Sequence, residues 1–338
     1  MASEAKERSK LLTARVIGKR IYRYENTLVI VVLLALIGGV SVLTHGVTTS
    51  RTNMTNILLQ GAARGVSAVG QAFVILTAGI DLSVGGIGLM SSVLGASLMT
   101  TRVWQNIVGH SVSPILAVPL MLLVGAGWGA INGLSVSRIG MPALIATLAM
   151  WQVTTGVGGN ICQNISVMYL PDSFDFFGRG VIAGIPVPVI TFIGIAVVAY
   201  FVLNHTGYGR SVYAVGGGPM GAWLSGINVK NIVLSVYVIS GFLAGLAGVI
   251  ITSRMGTAST ATLPGLEIDT IASCAIGGLS LFGGRGSLIG VVVGTIIIGV
   301  INNAMSVLGA SPVEINIARG VIIFAAVAVD FIRKRGQR

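Results

Sequence analysis

The sequence predicts an all-α integral membrane protein of about ten transmembrane helices, with eight as the alternative count and both termini cytoplasmic. Three observations predict it. Apolar residues make up 54% of the chain and charged residues 9%, against about 25% charged in a typical soluble domain, so there is too little polar surface to coat a water-facing globule. The 48 glycines fall inside apolar runs without a G-X-Y period, as expected where small residues let membrane helices approach closely. The 21 Lys and Arg gather at the chain ends and in short links between apolar runs, the distribution that sets membrane orientation.

Residues 1–26 form a basic cytoplasmic segment with Lys6, Arg8, Lys10, Arg15, Lys19, Arg20 and Arg23. The apolar run that follows, 28–43, has the outline of a signal peptide, but 44–53 offers no small-x-small cleavage site, so the run reads as a retained first span. Windows long enough to cross a bilayer, roughly 17 to 25 residues, occur at 27–44, 54–78, 83–100, 115–136, 142–158, 187–204, 232–252, 266–282, 287–308 and 315–332. They make 27–332 a single membrane domain, and 333–338 is a basic cytoplasmic tail with Arg333, Lys334, Arg335 and Arg338.

With the N-terminus inside, ten spans return the C-terminus inside. Adding Arg138, Arg210, Lys230 and Arg285, fifteen of the 21 Lys and Arg then face the cytoplasm; Arg51, Arg102, Arg179 and Arg254 face out, and Arg64 and Arg319 lie within spans. The positive-inside bias accounts for the formal charge of +11 without a nucleic-acid partner. A half-helix or re-entrant segment at 80–83 or in the glycine-dense window from 266 would lower the count to eight. Of the longer connections, 159–186 is expected outside and 205–231 inside. No repeat of 20 to 50 residues is visible. Cys162 and Cys274 are too few for a disulfide framework, and His45, His110 and His205 have no metal-ligand spacing, so no metal site is expected.

Gly125, Gly129 and Gly133 form a seam at i, i+4 and i+8. Gly61/Gly65 and Gly290/Gly294 repeat the spacing, and Gly241, Gly245 and Gly248 make a further stripe, for static packing or for a sliding surface. Ionisable groups inside spans cost about 2.5 kcal/mol upward and point to function. Gln60, Arg64 and Gln71 give the second span a polar face, as a water-filled path requires; equally, Arg64 pairs with a buried carboxylate. Asp81 and Ser83 either cap the following helix or touch a solute. Asn132, Asn302 and Asn303 bond either to solute hydroxyls or to neighbouring helices.

There is no G-x-x-x-x-G-K-[ST]; Gly216-Gly217-Gly218-Pro219 and Gly283-Gly284-Arg285-Gly286 lack the lysine of a phosphate loop, so the chain has no ATP site of that kind. Within 205–231, Pro219 is placed to start a short helix and Gly226 to end it. Met220, Ala222, Trp223 and Leu224 lie between, apolar residues suited to a partner's groove or to the membrane surface.

Three motifs, in order, carry a resemblance. They are Gly79-Ile80-Asp81-Leu82-Ser83-Val84-Gly85; Tyr213-Ala214-Val215-Gly216-Gly217 through Ala222 to Ser225-Gly226-Ile227; and Glu267-Ile268-Asp269-Thr270-Ile271-Ala272 followed by Gly277-Gly278-Leu279-Ser280-Leu281-Phe282-Gly283-Gly284-Arg285-Gly286. From about residue 55 the chain resembles the ribose, xylose and galactose permease family of bacterial ABC importers. It departs from that family's pattern at Gly218, where asparagine is usual, and at Gly221-Ala222, where two alanines are.

The resemblance implies a permease of the bacterial inner membrane that pairs with a second copy or close homologue and is embedded in lipid. It implies a monosaccharide delivered by a periplasmic binding protein, and drive from a separate ATPase that carries the ATP-Mg and docks on Gly216, Gly217, Pro219, Ala222, Trp223, Leu224, Ser225 and Gly226. No cofactor is expected on this chain. A nucleoside or other small polar solute is the nearest alternative cargo. An ion-coupled transporter would carry paired acidic or histidine groups near mid-membrane, and an enzyme a converging nucleophile, base or metal set; neither pattern is present.

Overall fold

The computed structural model describes residues 27–335. The basic segment 1–26, and residues 336–338 of the tail, lie outside them. The described chain folds as thirteen helices with almost no sheet. They are α1 (Thr27–Leu43), α2 (Arg51–Leu76), α3 (Val84–Met99), α4 (Pro114–Leu134), α5 (Ala143–Ile161), α6 (Phe176–Arg179), α7 (Val187–His205), α8 (Gly207–Gly217), α9 (Pro219–Leu224), α10 (Val229–Met255), α11 (Leu266–Ile276), α12 (Leu288–Val307) and α13 (Pro312–Arg335). Between α6 and α7, β1 (Val181–Ile182) and β2 (Ile185–Pro186) pair antiparallel. Among the described residues four helices are long and apolar enough to cross a membrane: α4 with its π-helical extension to Ile139, α7, α10 and α12.

Local sequence sets the helix ends. Ser50, Ser113, Thr206 and Asn228 each accept a backbone N–H of the first turn of α2, α4, α8 and α10, satisfying donors that have no partner inside the helix. Every apolar window contains a helix, but the window 266–282 is not helical throughout. α11 stops at Ile276, and its 11 residues reach about 16 Å at 1.5 Å each, half of a hydrocarbon core about 30 Å thick. Gly277 is still right-handed and packs against the Gly290 carbonyl, but Gly278, Gly283 and Gly284 take φ values of +80°, +83° and +72°, which a helix cannot continue through.

α10 lies at the centre, packed on α4, α2 and α3, while α2 packs also on α12, α7 and α11. The glycine seams explain how closely. A Cβ on Gly125 would strike the Gly241 carbonyl, one on Gly129 the Tyr237 carbonyl and one on Gly241 the Gly125 carbonyl, so α4 and α10 meet backbone to backbone. Gly290 and Gly294 do the same for α12 against the Gly277 and Ser273 carbonyls, and Gly248 meets the Gly88 carbonyl of α3. In the remaining pair, Gly65 seats the Phe192 ring of α7, whereas a Cβ on Gly61 would meet nothing within 4 Å.

The connections alternate between the two ends of the bundle. At one end, Gly284 N–H donates to Leu76 O, Thr147 Oγ1 to Ile80 O at 3.2 Å, Tyr213 Oη to Gly286 O at 3.1 Å and Arg138 Nη2 to Asn231 Oδ1 at 2.8 Å. At the other, Thr100 Oγ1 donates to Met168 O at 2.6 Å, Ser253 Oγ to Phe174 O at 2.6 Å and Arg179 Nε to Arg254 O at 2.9 Å, and Val167 bridges to Ala258. Cys162 and Cys274 are buried free thiols.

Placing leucine at Gly241 is expected to lower stability by about 3 kcal/mol through overpacking, read as a fall in the thermal midpoint of purified protein. Alanine at Gly127, which faces open space on the same helix pair, is expected to leave the midpoint unchanged.

Candidate functional site

The second sequence motif and the glycine-rich half of the third meet at one end of the bundle, against residues 76–78 that lead into the first. α8 leads into α9, and Tyr208 Oη shares a hydrogen bond of 2.7 Å with Ser235 of α10; burial raises the Tyr208 phenol above its ordinary value, so the contact is between neutral hydroxyls. At the end of α8, a Cβ on Gly216 would strike the Leu76 carbonyl, and Gly284 packs on Gly217. Gly283 sits against Ala78 at φ +83°, a conformation that costs glycine little. Ser280 N–H donates to Arg285 O at 3.1 Å and closes the turn. The segments 76–78, 216–217 and 283–284 are thus stacked by their backbones.

On this support stands α9. Pro219 opens it and Gly226, at φ +81°, follows its end, as the sequence predicts. Ser225 N–H closes the last turn onto Gly221 O and Ala222 O. Met220, Trp223 and Leu224 are 69, 63 and 73% exposed, whereas Ala222 is 4% exposed and faces inward. The segment therefore presents a small apolar plug on a rigid base, and Ala222 belongs to the base.

The polar candidates separate into three groups. Gln71, Asp81, Ser83 and Asn132 form a closed knot in which all four are fully buried. Asp81 Oδ1 accepts Ser83 N–H at 3.0 Å and Ser83 Oγ at 2.5 Å, Asn132 Nδ2 donates to Ser83 Oγ at 2.7 Å, and Ser240 Oγ donates to Asp81 Oδ2 at 2.9 Å. With the amide oriented as its neighbours require, Gln71 donates to Asp81 O at 3.0 Å and accepts Asp81 N–H at 3.1 Å. These residues hold the non-helical link between α2 and α3 and line neither of the two cavities described below. Ser83 precedes α3 without a side-chain cap; Asp81 binds Ser83 itself and no N–H of the helix's first turn. Ser240 was not singled out from sequence, because serine in an apolar helix gives no signal without its partner.

Asn303 forms the second group: it exchanges amide bonds of 2.7 and 2.9 Å with Asn53 of α2 and so clamps α12 to α2. The third lines a cavity of about 540 Å³ with Gln60 and Arg64 of α2, Arg254 of α10, Asp269 of α11 and Arg319 of α13. Arg64 Nε pairs with Asp269 Oδ2 at 2.9 Å, Arg319 Nε lies 3.5 Å from Asp269 Oδ1, and Arg319 Nε donates to Asn302 Oδ1 at 3.1 Å. Arg64 therefore pairs with a buried carboxylate, as one of the two sequence readings expected, and also lines this cavity. Gln71, two turns further along α2, does not line this cavity. Glu267, against Gly85 of α3, and Asp269 lie apart from Gly277, Gly278, Ser280, Gly283, Gly284 and Gly286 of the same motif, which belong to the looped end.

A second cavity, about 650 Å³, is open on the outside of α5, lined by Gln152, Thr155, Gly156, Gly159, Asn160, Gln163, Asn164 and Thr260. Sequence reading missed it, although Gln152, Gly156, Asn160 and Gln163 recur at helical spacing; an uncharged polar stripe leaves mean hydropathy high. Among the described residues no three His, Cys, Asp or Glu side chains gather to hold a metal ion.

Residues 53–327 match the family described as branched-chain amino acid transport system / permease component. The chain belongs to this permease family. The permease is 40% identical over 283 residues to the ribose import permease RbsC of Bacillus subtilis, covering 82% of this chain and 84% of that protein. It is 38% identical over 310 residues to the D-allose transport system permease AlsC of Escherichia coli, 91% of each chain, and 37% identical over 320 residues to the fructose import permease FrcC of Rhizobium meliloti, 90% of this chain and 85% of that one. No solved structure matches it.

Replacing Ser240 with alanine removes one of the bonds to buried Asp81 and is expected to cost the permease about 1–3 kcal/mol, measured as thermal midpoint. Uptake per folded molecule is expected to persist, which separates a structural knot from a solute contact.

Proposed function

We propose that the permease forms the translocation path of an ATP-driven importer of a monosaccharide in the bacterial inner membrane, working beside a second copy or close homologue. In this reading a periplasmic binding protein delivers the sugar, and a cytoplasmic ATPase, holding the ATP-Mg, docks on α9. The observation that carries it is the exposed apolar plug of Met220, Trp223 and Leu224 on backbone that reaches α2 and the glycine turn directly: a groove that grips α9 moves the bundle with it. Such a contact lets an external motor bias a two-state helix bundle.

The alternation of connections supports ten membrane segments, with α11 crossing half the thickness and 277–287 completing the passage. The looped end carrying α9 is then cytoplasmic, together with the basic ends 1–26 and 333–338, and 159–186 faces the binding protein. The uncharged amides and hydroxyls of Gln152, Thr155 and Asn160 on the outer face of α5 suit sugar hydroxyls and ill suit lipid, so a second copy seated over α5 closes a polar path between the two. Ribose, allose and fructose, named for the relatives, are all monosaccharides.

Glutamate at Trp223 or Leu224 is expected to abolish uptake and solute-stimulated ATP hydrolysis by the reconstituted complex without affecting membrane insertion; coupled transport at the wild-type rate would refute docking at α9. Glutamate at Ala222 is a poor test, since that side chain is covered. Cysteine at Gln152 or Asn160 is expected to react with a membrane-impermeant thiol reagent over a low background, because Cys162 and Cys274 are buried, and transported sugar is expected to slow the reaction. Cysteines there that stay unreactive in the assembled importer would remove α5 from the path.

A further inference from the structure

We propose that the cavity between α2, α10, α11 and α13 is a binding site for a phosphate-type oxyanion, held chiefly by Arg64 and Arg254. Its lining brings three guanidinium groups, Arg64, Arg254 and Arg319, against one carboxylate, Asp269. Asp269 is 2% exposed and engages the Nε atoms of Arg64 and Arg319; Arg319 is further engaged by Asn302. Two positive charges in the lining are therefore left uncompensated. Glu267, the next carboxylate along α11, is turned to Gly85 of α3 and does not line the cavity.

The donors left over are specific ones. Arg64 Nη1 is buried with no hydrogen-bond partner, although burying a charged donor unpaired is costly. The Arg254 side chain has neither an ion pair nor a hydrogen bond among the described residues; its backbone carbonyl takes Arg179 Nε, and Arg179 is itself paired with Asp175 at 2.8 Å. Planar guanidinium forks match tetrahedral and carboxylate oxyanions in geometry. A neutral sugar would leave the charge surplus standing, so this cavity is assigned to a different ligand from the groove on α5, and the assignment does not depend on the transport reading.

The cavity's volume of about 540 Å³ exceeds what a phosphate group needs. Its rim is open, with Met255, Ala261 and Pro264 exposed, and Ile251, Leu263 and Leu266 wall one side. The same phosphate chemistry is supplied by a free anion or by an anionic phospholipid headgroup, and the experiment separates them.

Full-length permease is purified in neutral detergent, and its thermal midpoint is followed as potassium phosphate replaces potassium chloride at constant ionic strength. In parallel the protein is placed in nanodiscs of phosphatidylcholine with increasing phosphatidylglycerol. A half-effect concentration about tenfold higher in Arg254→Gln than in wild type is expected for at least one ligand; because the Arg254 side chain has no partner, its removal leaves the Arg64–Asp269 pair in place. A response to free phosphate identifies a soluble oxyanion, and a response to phosphatidylglycerol alone identifies lipid. Should Arg254→Gln fail to fold, Arg254→Lys, which keeps the charge and loses the fork, carries the comparison with a weaker response expected. A wild type that responds to neither ligand, or a variant that responds as wild type does, overturns the assignment.

Discussion

The constraint on which this structure depends is the backbone contact between α4 and α10. Lipid offers helices no hydrophobic reward for associating with each other, so they gain mainly by van der Waals contact over a close approach. Gly125, Gly129, Gly241 and Gly245 provide it by having nothing beyond Cα where the helices cross. Once α10 is seated there, its other faces are fixed. Ser240 reaches Asp81, Ser253 reaches the carbonyl of Phe174, and Ile251, Arg254 and Met255 complete the wall of the cationic cavity.

The same absence of water explains how the irregular segments survive. Between α2 and α3 the helical ladder is broken, and each freed backbone group needs a partner. The Gln71 amide serves both backbone groups of Asp81, Thr147 serves Ile80 O, and the Gly284 N–H serves Leu76 O. After α11 the glycines of the turn at 277–287 pack on the end of α2, on α8 and on α12. The polar side chains of the spans are thus largely spent on satisfying the protein's own backbone and one another, which is why few remain to face a solute.

Much of this was legible in the sequence, because each apolar window does contain a helix and the glycine spacings mark real crossings. The motif at 213–227 announced a short helix bounded by Pro219 and Gly226, and the helix is there. What sequence could not supply was partnership. Asp81 and Ser240 are 159 residues apart, and nothing in either neighbourhood names the other. Hydropathy stays high from 266 to 282, so the window gives no sign that the chain leaves the helix where Gly278 turns left-handed. The stripe on α5 escaped for the opposite reason: Gln152, Thr155 and Asn160 are uncharged and widely spaced, and only the burial of the opposite stripe, Ala146, Thr147, Thr154 and Gly158, shows that they look outward.

The stacking of Leu76, Gly216 and Gly284 has a mechanical consequence. Side chains between two elements act as a cushion, since rotamers can shift and absorb a displacement of an ångström or so. Here there is no cushion: main chain lies on main chain at three points far apart in sequence, and interiors packed this tightly transmit strain. A force on α9 passes to the end of α2 and to the glycine turn before α12 with little slack, as through a short rigid linkage, so its stroke need be no longer than the movement it produces.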